Sequence, residues 1–127
     1  MVSRRARQRC EYCLAPEFVL NFPFEVEHIV PSSRHGPDDE SNLALACRAC
    51  NLRKRDRTAV RDAETGGETP IFNPRADRWH DHFTLDLENG LILPVTDVGR
   101  ATVILLDLND PFQVAARLVW IELRLYP

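Results

Sequence analysis

Two Cys-x-x-Cys pairs constrain the fold of this chain more than any other feature of its sequence. Cys10 and Cys13 form the first pair, Cys47 and Cys50 form the second, and 33 residues lie between the inner cysteines. One such pair presents two sulfurs from a single turn, and two pairs complete the tetrahedral ligand set of a structural zinc ion. A thioredoxin-like redox pair, which needs only one Cys-x-x-Cys, and buried free thiols are the alternatives. The paired pattern favours zinc.

The composition is that of an ordinary globular domain without a membrane-spanning segment. Apolar residues make up 44% and charged residues 28% of the 127 residues, which is enough for one domain with a modest core. No run of about 18 apolar residues is present, and the Arg-rich N-terminus lacks the apolar part of a secretory signal. We therefore expect a cytoplasmic protein that does not contact a membrane. Disulfides are rare in that compartment, which again favours metal-bound cysteines.

Basic residues cluster beside both cysteine pairs. The net charge is −3, but residues 1–62 carry eleven Lys and Arg against nine Asp and Glu, whereas residues 63–127 carry five against ten. One cluster consists of Arg4, Arg5, Arg7 and Arg9, and the other of Arg48, Arg53, Lys54, Arg55 and Arg57. Local fields rather than the total charge steer a polyanion. The two clusters therefore favour nucleic acid as a partner, and two solvated faces are the alternative.

The segment between the cysteine pairs has the pattern of two strands joined by a loop. Residues 24–30 alternate apolar and polar side chains before an apolar end, and residues 42–46 form a second short strand pattern. Pro, Ser, Gly and Asp are frequent in residues 31–41, which predicts a loop. A regular first strand would place Glu27 and His28 on opposite faces. We therefore expect a bend near His28.

The segments that flank this region differ in character. Residues 1–9 are polar and basic without apolar periodicity, which predicts a mobile arm. Good helix formers follow Asn51, and residues 52–64 are predicted to be helical. Residues 65–68, Thr-Gly-Gly-Glu, would end that helix and begin a linker.

The sequence after residue 70 contains four local signals, for a short helix, a hairpin and two capped helices. In order they are residues 75–83, residues 84–93 around Asn89-Gly90, residues 97–108 capped by Thr96, and residues 111–125 capped by Asp110. The last helix carries apolar side chains on two sides. We expect either the rest of the core or a second copy of the chain, in a homodimer, to cover it.

Three segments of the first half together resemble the HNH endonuclease family, in its subgroup with four zinc-binding cysteines. They are Glu27-His28-Ile29-Val30-Pro31, Ser41-Asn42-Leu43 and Cys47-x-x-Cys50-Asn51-x-x-Lys54. The resemblance covers residues 10 to about 57, and residues 72–102 contain scattered similarity to the C-terminal part of small bacterial HNH proteins. It implies a single α+β domain over residues 1–127. A ββα-metal core would occupy residues 10–64, and a hairpin with two helices would form an extension over residues 70–127.

The resemblance also implies roles for individual residues. The family's general base falls on His28, and a neutral imidazole with a pKa of about 6.5 can deprotonate water near neutral pH. The metal-binding acid falls on Glu27, and Asn51 stands where many members have a metal-binding His. An oxygen-only pair suits Mg²⁺ or Mn²⁺. Asn42 falls on the residue expected to hold the loop and orient His28.

The same resemblance implies DNA as the substrate. Lys54 would meet a phosphate near the start of the helix, where anions are favoured. The predicted DNA-binding residues are Arg48, Arg53, Lys54 and Arg57. The predicted function is that of a divalent-metal-dependent DNA endonuclease. The alternatives are a catalytically silent zinc-knuckle module that binds DNA or a protein partner, and, more weakly, a thiol redox protein.

Overall fold

The computed structural model describes residue 2, residues 6–20 and residues 23–127. In chain order its elements are β1 (Glu25–His28), β2 (Leu43–Ala46), α1 (Arg48–Lys54), β3 (Ala59–Arg61), β4 (Glu68–Pro70), α2 (Trp79–His82), β5 (Phe83–Asp86), β6 (Leu91–Pro94), α3 (Asp97–Leu106) and α4 (Pro111–Glu122). Within these described residues, consecutive strands pair into three two-stranded antiparallel sheets. The fold is therefore mixed α and β, as predicted. Arg4 and Arg5 of the predicted arm lie outside the described residues.

The first hairpin and the helix that follows it carry the three motif segments. β1 pairs with β2, with Glu25 opposite Ala46 and His28 opposite Leu43. Cys47 is the N-cap of α1, because its sulfur accepts the backbone N–H of Cys50. α1 lies against β1. This order of two strands and a helix is consistent with an HNH-type core.

The predicted long helix over residues 52–64 is wrong. α1 ends at Lys54, because Arg55 takes a φ of 55° and a ψ of −124°, which no helix can continue. The chain then forms the strand β3, whose Val60 lies opposite Thr69 of β4. β-branched residues favour strands over helices. The predicted linker is the turn of this second hairpin, in which Gly66 supplies a φ of 72°.

The local signals of the C-terminal half are confirmed. β5 and β6 form the hairpin around Asn89-Gly90, and Gly90 has a φ of 72°. The hydroxyl of Thr96 accepts the N–H of Gly99 at the start of α3, and the carboxylate of Asp110 caps α4. The short helix predicted over residues 75–83 is confined to α2, because the backbone is extended at Arg78 before it and at Phe83 after it.

One hydrophobic core runs through both halves of the chain. Buried residues of the first half, such as Cys10 and Tyr12, belong to the same cluster as Phe72 and Phe83. The indole N–H of Trp79 donates to the carbonyl of Tyr12 at 2.8 Å. The C-terminal half therefore supports the turn that carries the first cysteine pair.

One side of α4 remains uncovered within the described residues. The exposed fractions are 87% for Phe112, 54% for Val119 and 61% for Leu123. The inner side carries Arg117, whose buried guanidinium donates to the carbonyls of Gly90 and Leu108, each at 2.8 Å. The homodimer through this helix stays a prediction. No helix among the described residues has both the length and the apolar character needed to cross a membrane.

Candidate metal centre and active site

The four cysteines converge on one point. Cys10, Cys13, Cys47 and Cys50 are buried, and their sulfurs all lie within 4.8 Å of one another. The sulfurs of Cys13 and Cys47 are 3.7 Å apart. A tetrahedral zinc ion with Zn–S bonds of about 2.3 Å separates its sulfurs by roughly 3.8 Å. The spacing fits zinc, and it is far longer than the S–S bond of a disulfide, about 2.05 Å.

The local structure of both turns suits thiolate ligands. The backbone N–H of Cys13 points at the sulfur of Cys10, and that of Cys50 points at the sulfur of Cys47, each at 3.5 Å. Hydrogen bonds from Cys10, and then from Cys13 and Cys50, lower the pKa of Cys47, whereas hydrogen bonds with the neighbouring thiols and then burial raise the pKa of Cys13 and Cys50. The thiolate is the form that binds a metal. All four cysteines therefore fit the zinc site that the sequence predicts.

His28 ends β1 and makes a contact that the sequence did not reveal. Its Nε2 lies 2.9 Å from a carboxylate oxygen of Asp38, and both side chains are open to solvent. When His28 is neutral and Nε2 carries the proton toward Asp38, Nδ1 is the ring nitrogen with a free lone pair. Asp38 is one of several acids in a Pro- and Gly-containing loop, and no spacing rule distinguishes it from Asp39 or Glu40.

Asn42 organises the loop that carries Asp38. Its amide oxygen accepts the N–H of Val30 at 2.9 Å, and its amide nitrogen donates to the carbonyls of Val30 at 2.8 Å and Pro37 at 2.9 Å. The loop is tight, since a Cβ on Gly36 would lie 1.8 Å from the carbonyl oxygen of Val30. Asn42 therefore holds the loop, as predicted. Its partner Pro37 directly precedes Asp38, and the predicted role of Asn42 in orienting His28 stays a prediction.

Glu27 is buried and fully engaged by protein partners. Tyr12 donates its hydroxyl to one carboxylate oxygen, and the ammonium of Lys54 lies 3.1 Å from the other. Lys54 is 1% exposed and also donates to the carbonyls of His28 at 3.2 Å and Ile29 at 2.9 Å. Burial raises the pKa of Glu27, while Lys54 and Tyr12 act in the opposite direction.

The structure joins Asn51 to a different glutamate from the one predicted. The amide nitrogen of Asn51 donates to the carboxylate of Glu25, which is partly exposed. Glu25 and Glu27 both meet residues of α1, whereas the ring of His28 meets the loop on the other side of β1. The bend expected at His28 ends the strand, but it does not bring the side chains of Glu27 and His28 together.

Residues 10–57 match the family model described as HNH endonuclease. The match starts at the first cysteine and includes all the motif residues described above. Over these residues the chain is similar to HNH endonucleases. Its four clustered cysteines fit the zinc-binding subgroup. Comparison with curated proteins and with solved structures found no match. Similarity to this family suggests a nuclease or nucleic-acid-binding role for the HNH segment, residues 10–57.

The prediction that Lys54 of the HNH segment meets a phosphate is wrong. Its ammonium is enclosed by Glu27 and two backbone carbonyls, and a buried cation of this kind cannot reach a ligand in solvent. Arg53 is also engaged within the protein. It donates to the carbonyls of Leu106 at 3.2 Å and Asp107 at 3.1 Å and pairs with Asp110.

Arg53 therefore links α1 to the end of α3 rather than presenting its charge to DNA. Its hydrogen bond lowers the pKa of Asp110. Arg48 and Arg57 are the predicted DNA-binding residues that stay exposed. Arg48 lies 3.6 Å from Glu25, and Arg57 donates to the carbonyl of Arg53 at 3.3 Å.

The predicted divalent-ion pair of Glu27 and Asn51 does not fit this arrangement. Lys54 already neutralises the carboxylate of Glu27, and Tyr12 occupies its other oxygen. Glu25 and Asn51 offer the ligand types that a hard ion takes, and both side chains have access to solvent, although the amide nitrogen of Asn51 and the guanidinium of Arg48 face the carboxylate of Glu25. Glu25 was missed because a strand with two glutamates offers no sequence rule for choosing between them.

Proposed function

We propose that the HNH segment is a divalent-metal-dependent DNA endonuclease in which His28 is the general base. The observation that carries the proposal is the His28–Asp38 pair at the exposed end of β1. With Nε2 directed at Asp38, Nδ1 takes a proton from water, and the resulting hydroxide attacks phosphorus. The bond from phosphorus to the 3′-oxygen breaks, and that oxygen takes a proton from solvent. The products are a 5′-phosphate and a 3′-hydroxyl.

The partly exposed oxygens of Glu25 and Asn51 would hold Mg²⁺ or Mn²⁺. Hard ions of this kind prefer carboxylate, amide and water oxygens. When bound, the ion supplies stabilisation of the charge on the phosphoryl and leaving oxygens. Asn51 thus keeps its predicted role, and Glu25 replaces Glu27 as its carboxylate partner. The contact between Asn51 and Glu25 supports this assignment.

Replacing His28 with alanine is expected to lower DNA cleavage by about 10²- to 10⁴-fold, the usual contribution of a general base. The assay is nicking of supercoiled plasmid in Mg²⁺ or Mn²⁺, with zinc content measured on the same samples. His80→Ala is the matched control, since His80 is exposed on α2. Cleavage by His28→Ala at the rate of the control would remove His28 from its role.

Asp38 is proposed as a positioning residue for His28. Because the pair is solvent-exposed and such pairs contribute about 0.2–1 kcal/mol, we expect Asp38→Ala to lower kcat by roughly two- to fivefold without changing KM. Asp38→Asn keeps an oxygen that can accept from Nε2 and should retain more activity. Asp56→Ala, which removes an exposed carboxylate after α1, is the control. A kcat for Asp38→Ala equal to that of the control would contradict the assignment.

Two observations favour a second candidate function, a catalytically silent nucleic-acid-binding module. The ammonium of Lys54 occupies the carboxylate that the family motif offers to a metal. The ring of His28 also lies on one side of β1, and the carboxylate of Glu27 lies on the other. Salt-dependent DNA binding without cleavage in Mg²⁺ or Mn²⁺ would favour this candidate over the nuclease.

A further inference from the structure

A cavity of about 510 Å³ opens beside the end of β1. It lies between the segment after His28, the hairpin β3–β4 and the chain that enters α2. Its volume falls in the range of about 300–1,000 Å³ that is usual for sites binding small organic groups. Neither the zinc site nor the proposed catalytic residues use this space, although the cavity wall begins at Ile29, one residue after His28.

The lining of the cavity combines an apolar wall, two carboxylates and the side chain of Lys54, whose ammonium is already bound by Glu27 and two backbone carbonyls. Ile29 and Phe72 contribute apolar surface, and Glu68 and Asp77 contribute acidic groups. Asp77 is held in place, because one of its oxygens accepts the N–H of Asn73 at 3.0 Å. Carboxylates repel a phosphate but accept hydrogen bonds from the amino groups of bases, as Asp and Glu do from cytosine N4. The interior therefore suits the flat, partly apolar shape of a nucleobase.

Three arginines neighbour residues that line the cavity. Arg34 donates to the hydroxyl of Thr58 in the cavity wall at 3.2 Å. Arg61 lies directly across the hairpin from Glu68, and Arg57 precedes Thr58 in the chain. All three arginines are exposed. Exposed arginines bind the phosphates of a nucleic acid strand. Acceptors in the cavity lining and exposed cations on neighbouring residues match a nucleotide whose base enters while its phosphates stay outside.

We propose that this cavity takes up a nucleobase that has left the base stack. The preferred nucleic acid would then carry an unpaired or extruded base next to the strand on which His28 acts. The inference rests on the proposed nucleic-acid substrate, but it does not depend on hydrolysis. Extruding a base costs free energy, and the cost is least for a base that is already unpaired. A pre-formed bulge should therefore bind more tightly than a fully paired duplex.

The test compares two fluorescently labelled duplexes of the same sequence, one fully paired and one with a single extra cytosine. Binding is measured by fluorescence anisotropy without added divalent ions, so that no cleavage occurs. Wild-type protein should bind the bulged duplex at least tenfold more tightly. Ala59→Trp fills the cavity and should abolish this preference while binding to the paired duplex persists. Ala63→Trp, in the exposed turn of the same hairpin, is the matched control.

A second variant addresses the base-recognising groups without adding bulk. The double substitution Glu68→Gln and Asp77→Asn removes both carboxylates and should lower the preference for the bulged cytosine severalfold. Equal affinity of wild-type protein for the two duplexes would overturn the proposal. So would an undiminished preference in both the Ala59→Trp and the double variant. Displacement of the bulged duplex by micromolar deoxycytidine monophosphate would also overturn it, because the cavity would then be a site for free nucleotides.

The outcome is separable from that of the proposed function. A preference for the bulged duplex that Ala59→Trp removes supports the cavity assignment even in a protein that does not nick plasmid DNA. Cleavage of plasmid DNA by a protein without that preference supports the nuclease and rejects the cavity assignment.

Discussion

Removing zinc is expected to unfold the whole chain, and not only the two cysteine turns. Zinc binding contributes about 10–16 kcal/mol in small zinc-dependent peptides. A domain of ordinary stability has only about 5–15 kcal/mol in total. The four cysteines are buried members of the main hydrophobic cluster. Without the metal, four sulfur atoms would lie close together at the centre of the core with no cation between them. That arrangement is electrostatically unfavourable.

The loss of structure should spread from the cysteine turns to the C-terminal half, because that half is attached to the first cysteine turn. Tyr126 donates its hydroxyl to the carbonyl of Cys13 at 2.8 Å, and Trp79 donates to the carbonyl of Tyr12 at 2.8 Å. Arg9, just before the turn, donates to the carbonyl of Leu125 at 3.1 Å. Unfolding of the turn would therefore release residues from α2 to the C-terminus.

Circular dichroism and tryptophan fluorescence, recorded together during chelation, test this expectation. Trp79 reports on the first turn and Trp120 on α4, and elemental analysis should give one zinc ion per chain. The Cys47→Ser variant should give the same spectra as the chelated protein. Adding zinc back to the chelated wild-type protein should restore its original spectra. A chelated protein that keeps its helical signal and its melting temperature would refute the role assigned to zinc.

Breaking the Glu27–Lys54 pair should produce the second large effect, on stability. Lys54→Met leaves the carboxylate of Glu27 buried without its cation, a change that costs about 3–5 kcal/mol. Burial already raises the pKa of Glu27, and loss of Lys54 removes an opposing influence. The cost should therefore be small at acid pH, where the carboxyl is protonated. It should grow as the pH rises above about 4.3, the ordinary pKa of a glutamate.

Urea unfolding at several pH values measures this cost, and a second substitution separates charge from packing. Glu27→Gln in the Lys54→Met background removes both charges, and should recover part of the lost stability. Arg100→Met is the control, because it breaks the exposed pair of Arg100 with Asp97 and should change stability by less than about 1 kcal/mol. A Lys54→Met variant as stable as this control would show that the buried pair contributes nothing.

Features set by short stretches of sequence were predictable from the sequence. The two cysteine turns, the Asn89-Gly90 hairpin and the caps at Thr96 and Asp110 all follow from residues within a few positions of one another. The chemistry of such features lies in the local chain, in a sulfur pair, a left-handed glycine or a side-chain acceptor at a helix end. The order of the motif residues also predicted the similarity of residues 10–57 to HNH endonucleases.

The composition of the candidate site depended on contacts between distant parts of the chain. Nothing in the local sequence shows that Lys54 is buried against Glu27, that Asn51 meets Glu25, or that Asp38 meets His28. Each contact joins residues 10 to 27 positions apart, and which partner a carboxylate chooses is decided by burial and by the packing of neighbouring elements.

The hairpin β3–β4 and its cavity show the same limit for backbone structure. Residues 55–64 contain acceptable helix formers, but Ala59–Arg61 is a strand, because Glu68–Pro70 is there to complete its hydrogen bonds. A strand gains most of its stability from a partner strand, whereas a helix satisfies its own backbone. The sequence by itself thus determined the four-cysteine cluster, the similarity to HNH endonucleases and the local turns. Tertiary structure alone decided which motif residues lie in contact and formed the cavity beside His28.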